Sequence, residues 1–500
     1  MLKKRNLILI MVMQFCMTTY SQTFDYLYDQ SFTLDVADVI ETQNDYLLIA
    51  FKSTYPNFES VFIRISKTGQ FISDSIDNTH PGYMTQKIHK YNQNYLLIKS
   101  ILSGLGSDRI VIQEVDSTLK NQISSYAYSS NSTFDIANAR ILSNNQLLMV
   151  GNSFQQGVGR DAFVYQFNLD TQSDTMINLG NNNPTLDLSS DILMLGGKYY
   201  VFKTIGNTSS NCATFNEISR YFADWTHDTT VAICNSISTS TDHHFRFIVS
   251  ALKISESDFM MAARADYSNS INTIRPEQIG QLHWDTNFVE LNASLYGKYD
   301  TVAIEANQGI SRFSNHPFVF VGGTENYKVN PAGVDTTDSF YTLIKTDLLG
   351  NPIWTRYYSN HSYLQLRKVL ATSDGGAIMV GSSYDENRSN NSSTEKELWI
   401  LKVDSNGNMS NSNSIIENKL KPTLLFYPNP VNNILYYKQI NSFNDYSFQL
   451  YDSKASVVLR SAISNTFGEI DVSQLINGVY FYLLFDNNGL AIQRGKIIKQ

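Results

Sequence analysis

Residues 22–410 carry their apolar side chains in short runs set off by Asn, Asp, Ser and Gly, the pattern of strands ended by turns. The clearest unit is Val369–Gly381. Val369-Leu370-Ala371 and Ala377-Ile378-Met379-Val380 read as two strands around an Asp374-Gly375 turn, because glycine tolerates the positive φ that a tight hairpin demands. A long polar stretch follows, then a third strand at Leu398–Asp404 and a second tight turn at Ser405–Asn408.

The same order recurs upstream: Tyr46–Ile49 precedes Val61–Ile65, Tyr95–Ile98 precedes Ile110–Val115, and Leu147–Val150 precedes Ala162–Phe167. The first apolar residues after the turns are Tyr46, Tyr95, Leu147, Tyr199, Phe259, Phe318 and Ala377, at intervals of 49, 52, 52, 60, 59 and 59. A period near fifty with four short strands per unit predicts propeller blades, each unable to bury both faces unless stacked on neighbours. A β-solenoid needs shorter periods, and a chain of β-sandwiches needs roughly a hundred residues per unit. The expected fold class is therefore all-β, a seven-bladed β-propeller over 22–410, with six or eight blades as the alternatives.

The seventh unit lacks a fourth strand, since Met409-Ser410-Asn411-Ser412-Asn413-Ser414 is too polar to form one. Thr23–Asp29, with alternating aromatics, is expected to pair into that blade and close the ring. Residues 411–421 then read as a linker.

The C-terminal segment has a different texture. It opens Leu424-Leu425-Phe426-Tyr427-Pro428-Asn429-Pro430-Val431, passes through Asn477-Gly478-Val479-Tyr480-Phe481 and ends Gly495-Lys496-Ile497-Ile498-Lys499-Gln500. In order and spacing this resembles the type A C-terminal sorting domain of the type IX secretion system, over 422–500. The resemblance implies a small seven-stranded β-sandwich that the outer-membrane export machinery recognises and a surface signal peptidase removes, many such substrates being joined to lipopolysaccharide. It makes Pro428, Asn429, Pro430, Gly478, Tyr480, Gly495 and Lys496 the sorting-signal residues. Seven strand candidates fit: Leu424–Tyr427, Ile434–Lys438, Tyr446–Tyr451, Val457–Ala462, Gly468–Val472, Gly478–Leu484 and Ala491–Ile498. The apolar strand Val479–Phe485 is expected at the sandwich centre. The repeats upstream are similar to the Asp-Gly-Gly propeller-like repeats often found ahead of this domain.

The N-terminus agrees with export. Lys3-Lys4-Arg5, the apolar stretch Leu7–Phe15 and the small Ser21 form a signal peptide over 1–21, its apolar run too short to span a bilayer. Aromatics make up 12% of the chain and charged residues 17%, which favours strands and a large core. The formal charge is −8, and losing three leader cations makes the mature chain more negative, so a nucleic-acid partner is not expected.

Hydrolytic signatures are absent: the sequence has no Gly-x-Ser-x-Gly, no His-Glu-x-x-His and no phosphate loop. Asp242-His243-His244 lacks a third metal ligand at useful spacing, and Asp404–Asn408 reads as a turn rather than a calcium loop, so no metal or cofactor is called for. Cys212 and Cys234 flank the expected third and fourth strands of the fourth blade and are expected to form a disulfide worth about 3 kcal/mol, with two buried thiols as the alternative. The connections from second to third strand are the long ones: 52–59, 100–108, 152–161, 204–211, 264–277, 324–339 and 382–397. They should surround one mouth of the channel, with Tyr55, Phe154, Tyr267, Tyr327 and Tyr384 as candidate ligand-binding aromatics. These features favour a secreted or surface-displayed module that binds glycan or protein. The alternatives are a glycan hydrolase or lyase using loop carboxylates such as Asp108, Asp161 or Glu277, and a structural surface component.

Overall fold

The computed structural model describes residues 22–28, 34–54, 57–77, 84–100, 108–130, 132–155, 159–179, 187–205, 215–233, 243–267, 277–297, 303–314, 316–326, 339–360, 362–384, 396–409, 424–439, 445–452, 456–485 and 491–500. The expected leader at 1–21 and linker at 411–421 lie outside them. The chain divides into two compact units, 1–410 and 411–500.

The first unit is a seven-bladed β-propeller. Each blade is a four-stranded antiparallel meander; the first six span 34–76, 84–130, 133–178, 187–233, 243–296 and 303–358. The seventh uses Tyr363–Ala371, Ala377–Tyr384 and Lys396–Val403 and takes its fourth strand from the N-terminus. Phe24–Tyr28 runs antiparallel to Leu398–Lys402, with Phe24 opposite Lys402 and Tyr28 opposite Leu398. This closure places the aromatics as the sequence suggested: Phe24 and Tyr28 are buried in the core between the seventh and first blades, beside Tyr46 and Ile400.

The first strand of each blade lies against the first strand of the next, and Tyr363–Ala371 against Leu34–Glu41 completes the circle. A single parallel pairing, Gln308 with Lys368, also joins the inner strands of the sixth and seventh blades. The second strands are the most deeply buried, as in Leu47–Ala50, Leu147–Val150 and Ile378–Val380, because both of their faces meet neighbouring blades. The outer strands of the first six blades are the more exposed ones, Phe71–Ile76 throughout.

The turn that follows the third strand repeats around the ring. Gly69, Leu119, Gln172, Trp225, Phe288, Gly350 and Gly407 occupy equivalent places, all with φ between 57° and 89°. Where the turn opens with Asp, its carboxylate accepts from the following amides: Asp404 Oδ1 takes Asn406 N at 2.8 Å and Asn408 N at 2.7 Å, and Asp347 repeats this with Leu349 and Asn351. That local bonding explains why Asp404–Asn408 is a turn and not a cation loop. Of the four non-glycine residues, Leu119, Trp225 and Phe288 offset left-handed backbone with packing, while Gln172 is exposed; Trp225 stacks on Tyr199 at 4.3 Å and donates its indole N–H to Gln166 Oε1 at 2.7 Å.

One expectation is corrected. The connections at 52–59 and 152–161 are mostly strand, not loop: Asp45–Thr54 pairs with Asn57–Ser66 up to Thr54 opposite Asn57, and Gln146–Gln155 pairs with Gly159–Asn168 up to Gln155 opposite Gly159. Polar side chains there do not prevent pairing, since the ladder satisfies backbone groups whatever the side chains are.

The second unit is a β-sandwich of seven strands. Leu424–Tyr427, Ile434–Gln439 and Phe467–Asp471 form one sheet; Val457–Ile463, Tyr446–Tyr451, Gly478–Phe485 and Ala491–Lys499 form the other, in that order. Gly478–Phe485 is central in its sheet, as expected, but only one of its faces is interior. Tyr480, Tyr482 and Leu484 point into the core while Val479 and Phe481 are 46% and 47% exposed. The period-two alternation of a strand makes that division unavoidable.

Candidate functional site

Tyr55 and Tyr327 lie outside the described residues. Phe154 is a strand residue, opposite Thr133 and Arg160, and Tyr267 ends its strand opposite His243. Tyr384 is half-buried, its ring 5.5 Å from that of Tyr363 and 5.2 Å from Lys396 Nζ. Cys212 and Cys234 also lie outside the described residues, although the strands they flank, Phe215–Tyr221 and His227–Ile233, pair with Asn216 opposite Ile233. Of the carboxylates considered for catalysis, Asp161 sits in a hairpin opposite Ser153, Asp108 opens its strand opposite Ser130, and Glu277 faces Asp266.

The structure instead builds a cavity in the central channel, about 450 Å³ in volume, from the inner strands. All seven inner strands break register with their neighbours near the same place, between Val36 and Asp38, Thr85 and Lys87, Ile136 and Asn138, Ser189 and Asp191, Phe245 and Ser250, Glu305 and Ile310, and Leu366 and Lys368. A β-bulge re-aims the side chain of its extra residue. Here the extra residues Ala37, Gln86, Ala137, Ser190 and Arg367, with Asn307 and Gln308 of the sixth blade, line the cavity.

Four of the residues after the bulges, Asp38, Asn138, Asp191 and Lys368, reach a neighbouring blade. Asp38 is ion-paired with Lys368 of the seventh blade and accepts Ile88 N of the second at 3.0 Å. Asn138 donates to Asp191 Oδ1 at 2.8 Å, and Asp191 Oδ2 accepts Ala251 N of the fifth blade at 2.7 Å. Arg140 adds a two-pronged contact to Asp191 and donates to Ala251 O at 2.7 Å. Gln86 Oε1 accepts Ile136 N at 2.8 Å. These bonds fasten blade to blade through groups removed from water, where satisfied polar links are worth most. Burial alone would raise Asp38, but Lys368 and Lys87 hold it below the usual carboxylate range.

Lys87 and His89 differ. Burial pushes the Lys87 ammonium down to about 8, against the attraction of Asp38. Burial also pushes His89 down to about 4, and its Nε2 has no hydrogen-bond partner. Among the described residues, no three His, Cys, Asp or Glu gather as metal ligands.

Sequence reading missed this ring. Its trace is a short polar interruption before an apolar pair, as in Ala37-Asp38-Val39, Gln86-Lys87-Ile88, Ala137-Asn138-Ala139, Ser190-Asp191-Ile192 and Arg367-Lys368-Val369.

In the second unit the structure brings the candidate sorting residues of both ends together. Asn429 Nδ2 donates to Lys496 O at 2.8 Å while its Oδ1 accepts Ile498 N at 2.9 Å. Val431 N donates to Ile498 O at 2.8 Å and Gln500 N returns a bond to Val431 O at 2.9 Å. Pro428 and Pro430, both preceded by cis peptide bonds, bracket Asn429. Gly495 has no room for a side chain, since a Cβ there would stand 2.5 Å from the Tyr482 ring. Tyr480 is buried and donates to Ile476 O at 2.7 Å, whereas Gly478 is exposed at the strand start with open space around it.

Comparison with known proteins matches residues 425–500 to the secretion system C-terminal sorting domain family. That domain directs export across the outer membrane to the cell surface or the medium. No curated protein matches the chain by sequence. Solved structures similar in fold include the WD40 domain of SCAP from fission yeast, with 7% identity and a TM-score of 0.36 over 76% of this chain and 98% of that one. The GH93 alpha-L-arabinofuranosidase of Fusarium graminearum has 7% identity and a TM-score of 0.38 over 62% and 89%. The alpha-L-arabinanase of Penicillium chrysogenum has 12% identity and a TM-score of 0.37 over 64% and 92%. These likenesses concern the fold alone.

Proposed function

We propose that this exported chain is a binding protein whose propeller receives a glycan or peptide segment in the channel cavity, after the leader at 1–21 has been removed. The observation that carries this reading is the division of labour on the inner strands. Amide and hydroxyl groups, among them Asn152, Ser190, Asn307 and Gln308, line a cavity of about 450 Å³ together with Asp135, Lys87, Arg367 and Lys368, within the range of small-molecule sites. The buried carboxylates next to it, Asp38 and Asp191, are engaged by Lys368 and Arg140.

A glycoside hydrolase needs two carboxylates about 5 or 6.5–9.5 Å apart facing one substrate. Asp38 and Asp191, being held in ion pairs and by backbone amides, suit fastening better than proton transfer. The sorting domain is proposed to be removed at the surface by the signal peptidase of the export machinery.

The test is a glycan array and a surface-protein pull-down with the mature exported protein, run beside an assay for new reducing ends. Saturable binding without bond cleavage is expected. Cleavage would transfer the chain to the enzyme reading, and absence of any binding would leave a structural surface component.

A further inference from the structure

Around the channel, the residue following each single-residue bulge is Asp38, Lys87, Asn138, Asp191 or Lys368. Four of these five make a side-chain link into a neighbouring blade: Lys368 with Asp38, and Asn138 with Asp191. Lys87 is the exception. Only 5% exposed, it lines the cavity, and what acts on its ammonium there is the attraction of Asp38, a carboxylate already ion-paired with Lys368. A largely buried ammonium that shares its one strong carboxylate neighbour with a second lysine is expensive, and an anion in the cavity would complete it.

We propose that Lys87 anchors a carboxylate of the ligand, and that the ligand is an acidic saccharide of the uronic-acid type. This rests on the binding reading above and narrows it. A carboxylate at Lys87 Nζ would form a charge-assisted hydrogen bond. Arg367, at the same cavity, supplies a second cation, its own contact to Asp35 being long at 3.5 Å. The amides of Asn152, Asn307 and Gln308 can meet sugar hydroxyls, which a peptide C-terminus would not offer.

The charged groups that face Lys87 are Asp38, Lys368, Asp191 and Asp135. Burial is the largest influence on Lys87 and drives its proton affinity down. At neutral pH the ammonium form still predominates, so an anion in the cavity meets a cation.

The experiment is titration calorimetry on the mature full chain with digalacturonate, lactose and acetyl-dialanine, for wild type, Lys87→Met and Lys87→Arg. Digalacturonate should bind at least about tenfold tighter than lactose, Lys87→Met should lose at least about tenfold, and Lys87→Arg should retain most of the affinity, one charged hydrogen bond being worth about a factor of ten or more. Equal binding of digalacturonate and lactose, unchanged affinity in Lys87→Met, or preference for the dipeptide would overturn the proposal. A neutral glycan that binds the wild type and Lys87→Met alike would leave the binding function standing and remove only this inference. Reductive methylation of the wild-type protein, read by mass spectrometry, gives a readout that does not need the variants to fold. Digalacturonate should protect Lys87, and equal modification with and without it would also overturn the proposal.

Discussion

Arg140 grips Asp191 with both arms of its guanidinium, Nε to Oδ1 at 3.0 Å and Nη2 to Oδ2 at 2.8 Å, across the seam between the third and fourth blades. The same carboxylate accepts Ala251 N of the fifth blade, so one pair of side chains ties three blades together. Asp191 is fully buried. Removing Arg140 leaves that charge with amide donors only, and loss of one partner of a buried pair costs about 3–5 kcal/mol. Arg140→Met should lower unfolding stability by that order in urea. Arg140→Lys should recover only part of it, because a lysine cannot make the planar two-pronged contact. Equal stability of wild type and Arg140→Met would show that the seam does not depend on this pair.

His89 should make the propeller acid-sensitive. Its imidazole is held down to about 4, by burial first and also by Lys368, Lys87 and Arg140. Unfolded, it titrates near its ordinary value of about 6.5. Above that pH both states are neutral and the fold keeps its full stability. Between about 6.5 and 4 only the unfolded state takes up the proton, so stability falls with falling pH, by at most about 3 kcal/mol. His89→Leu should flatten this part of the stability–pH curve, and an unchanged slope would assign the acid sensitivity to other groups.

The closing strand should be indispensable. Phe24 and Tyr28 contribute to the core of the seventh and first blades, and Tyr28 donates to Asp74 on the outer strand of the first. Deleting residues 22–28 would bare the edge at Leu398–Lys402, a template for pairing between molecules. Light scattering should show association of the truncated protein, and calorimetry a lower melting temperature. A monomer with wild-type melting would refute the role given to closure.

Truncation at the C-terminus should separate folding from export. Deleting Gly495–Gln500 removes the partners of Asn429 and Val431 and most of the pairing of Gly478–Leu483 with the last strand. Because the propeller is its own compact unit, it should remain folded and protease-resistant in the periplasm. Normal amounts of this truncation at the cell surface would contradict the sorting role of the last strand.

The cysteines offer a chemical test. Asn216 and Ile233 pair at the open end of the hairpin that Cys212 and Cys234 flank. Exported protein should release titratable thiol only after reduction, and Cys212→Ser should lower stability by about 3 kcal/mol on the loop-closure account. Two thiols titrating in unreduced, denatured protein would exclude the bridge.

The repeat and the turns were legible in the chain because both are local. Gly350, Gly407 and the Asp residues before them signal hairpins from within five residues, and the spacing of Tyr46, Tyr95 and Leu147 reports one blade after another. The closing strand was legible from a deficit, the missing fourth strand after Asn408, and the sandwich from seven alternating segments. The placement of Asn429 against Lys496 and Ile498 required the fold, although both motifs stood out in sequence.

The channel was not legible, because a bulge exists only relative to the register of its partner strand, and nothing in Leu34–Glu41 alone says that Ala37 is the extra residue. Lys368 meets Asp38 across 330 positions, and that meeting follows from ring closure rather than from any pattern near either residue. The sequence by itself therefore determined the strands, their grouping and the export signal, through propensity and period. Which polar residues face the seams, which face the channel, and that Lys87 lines the cavity beside Asp38 came from the assembled ring, since burial and pairing are its properties.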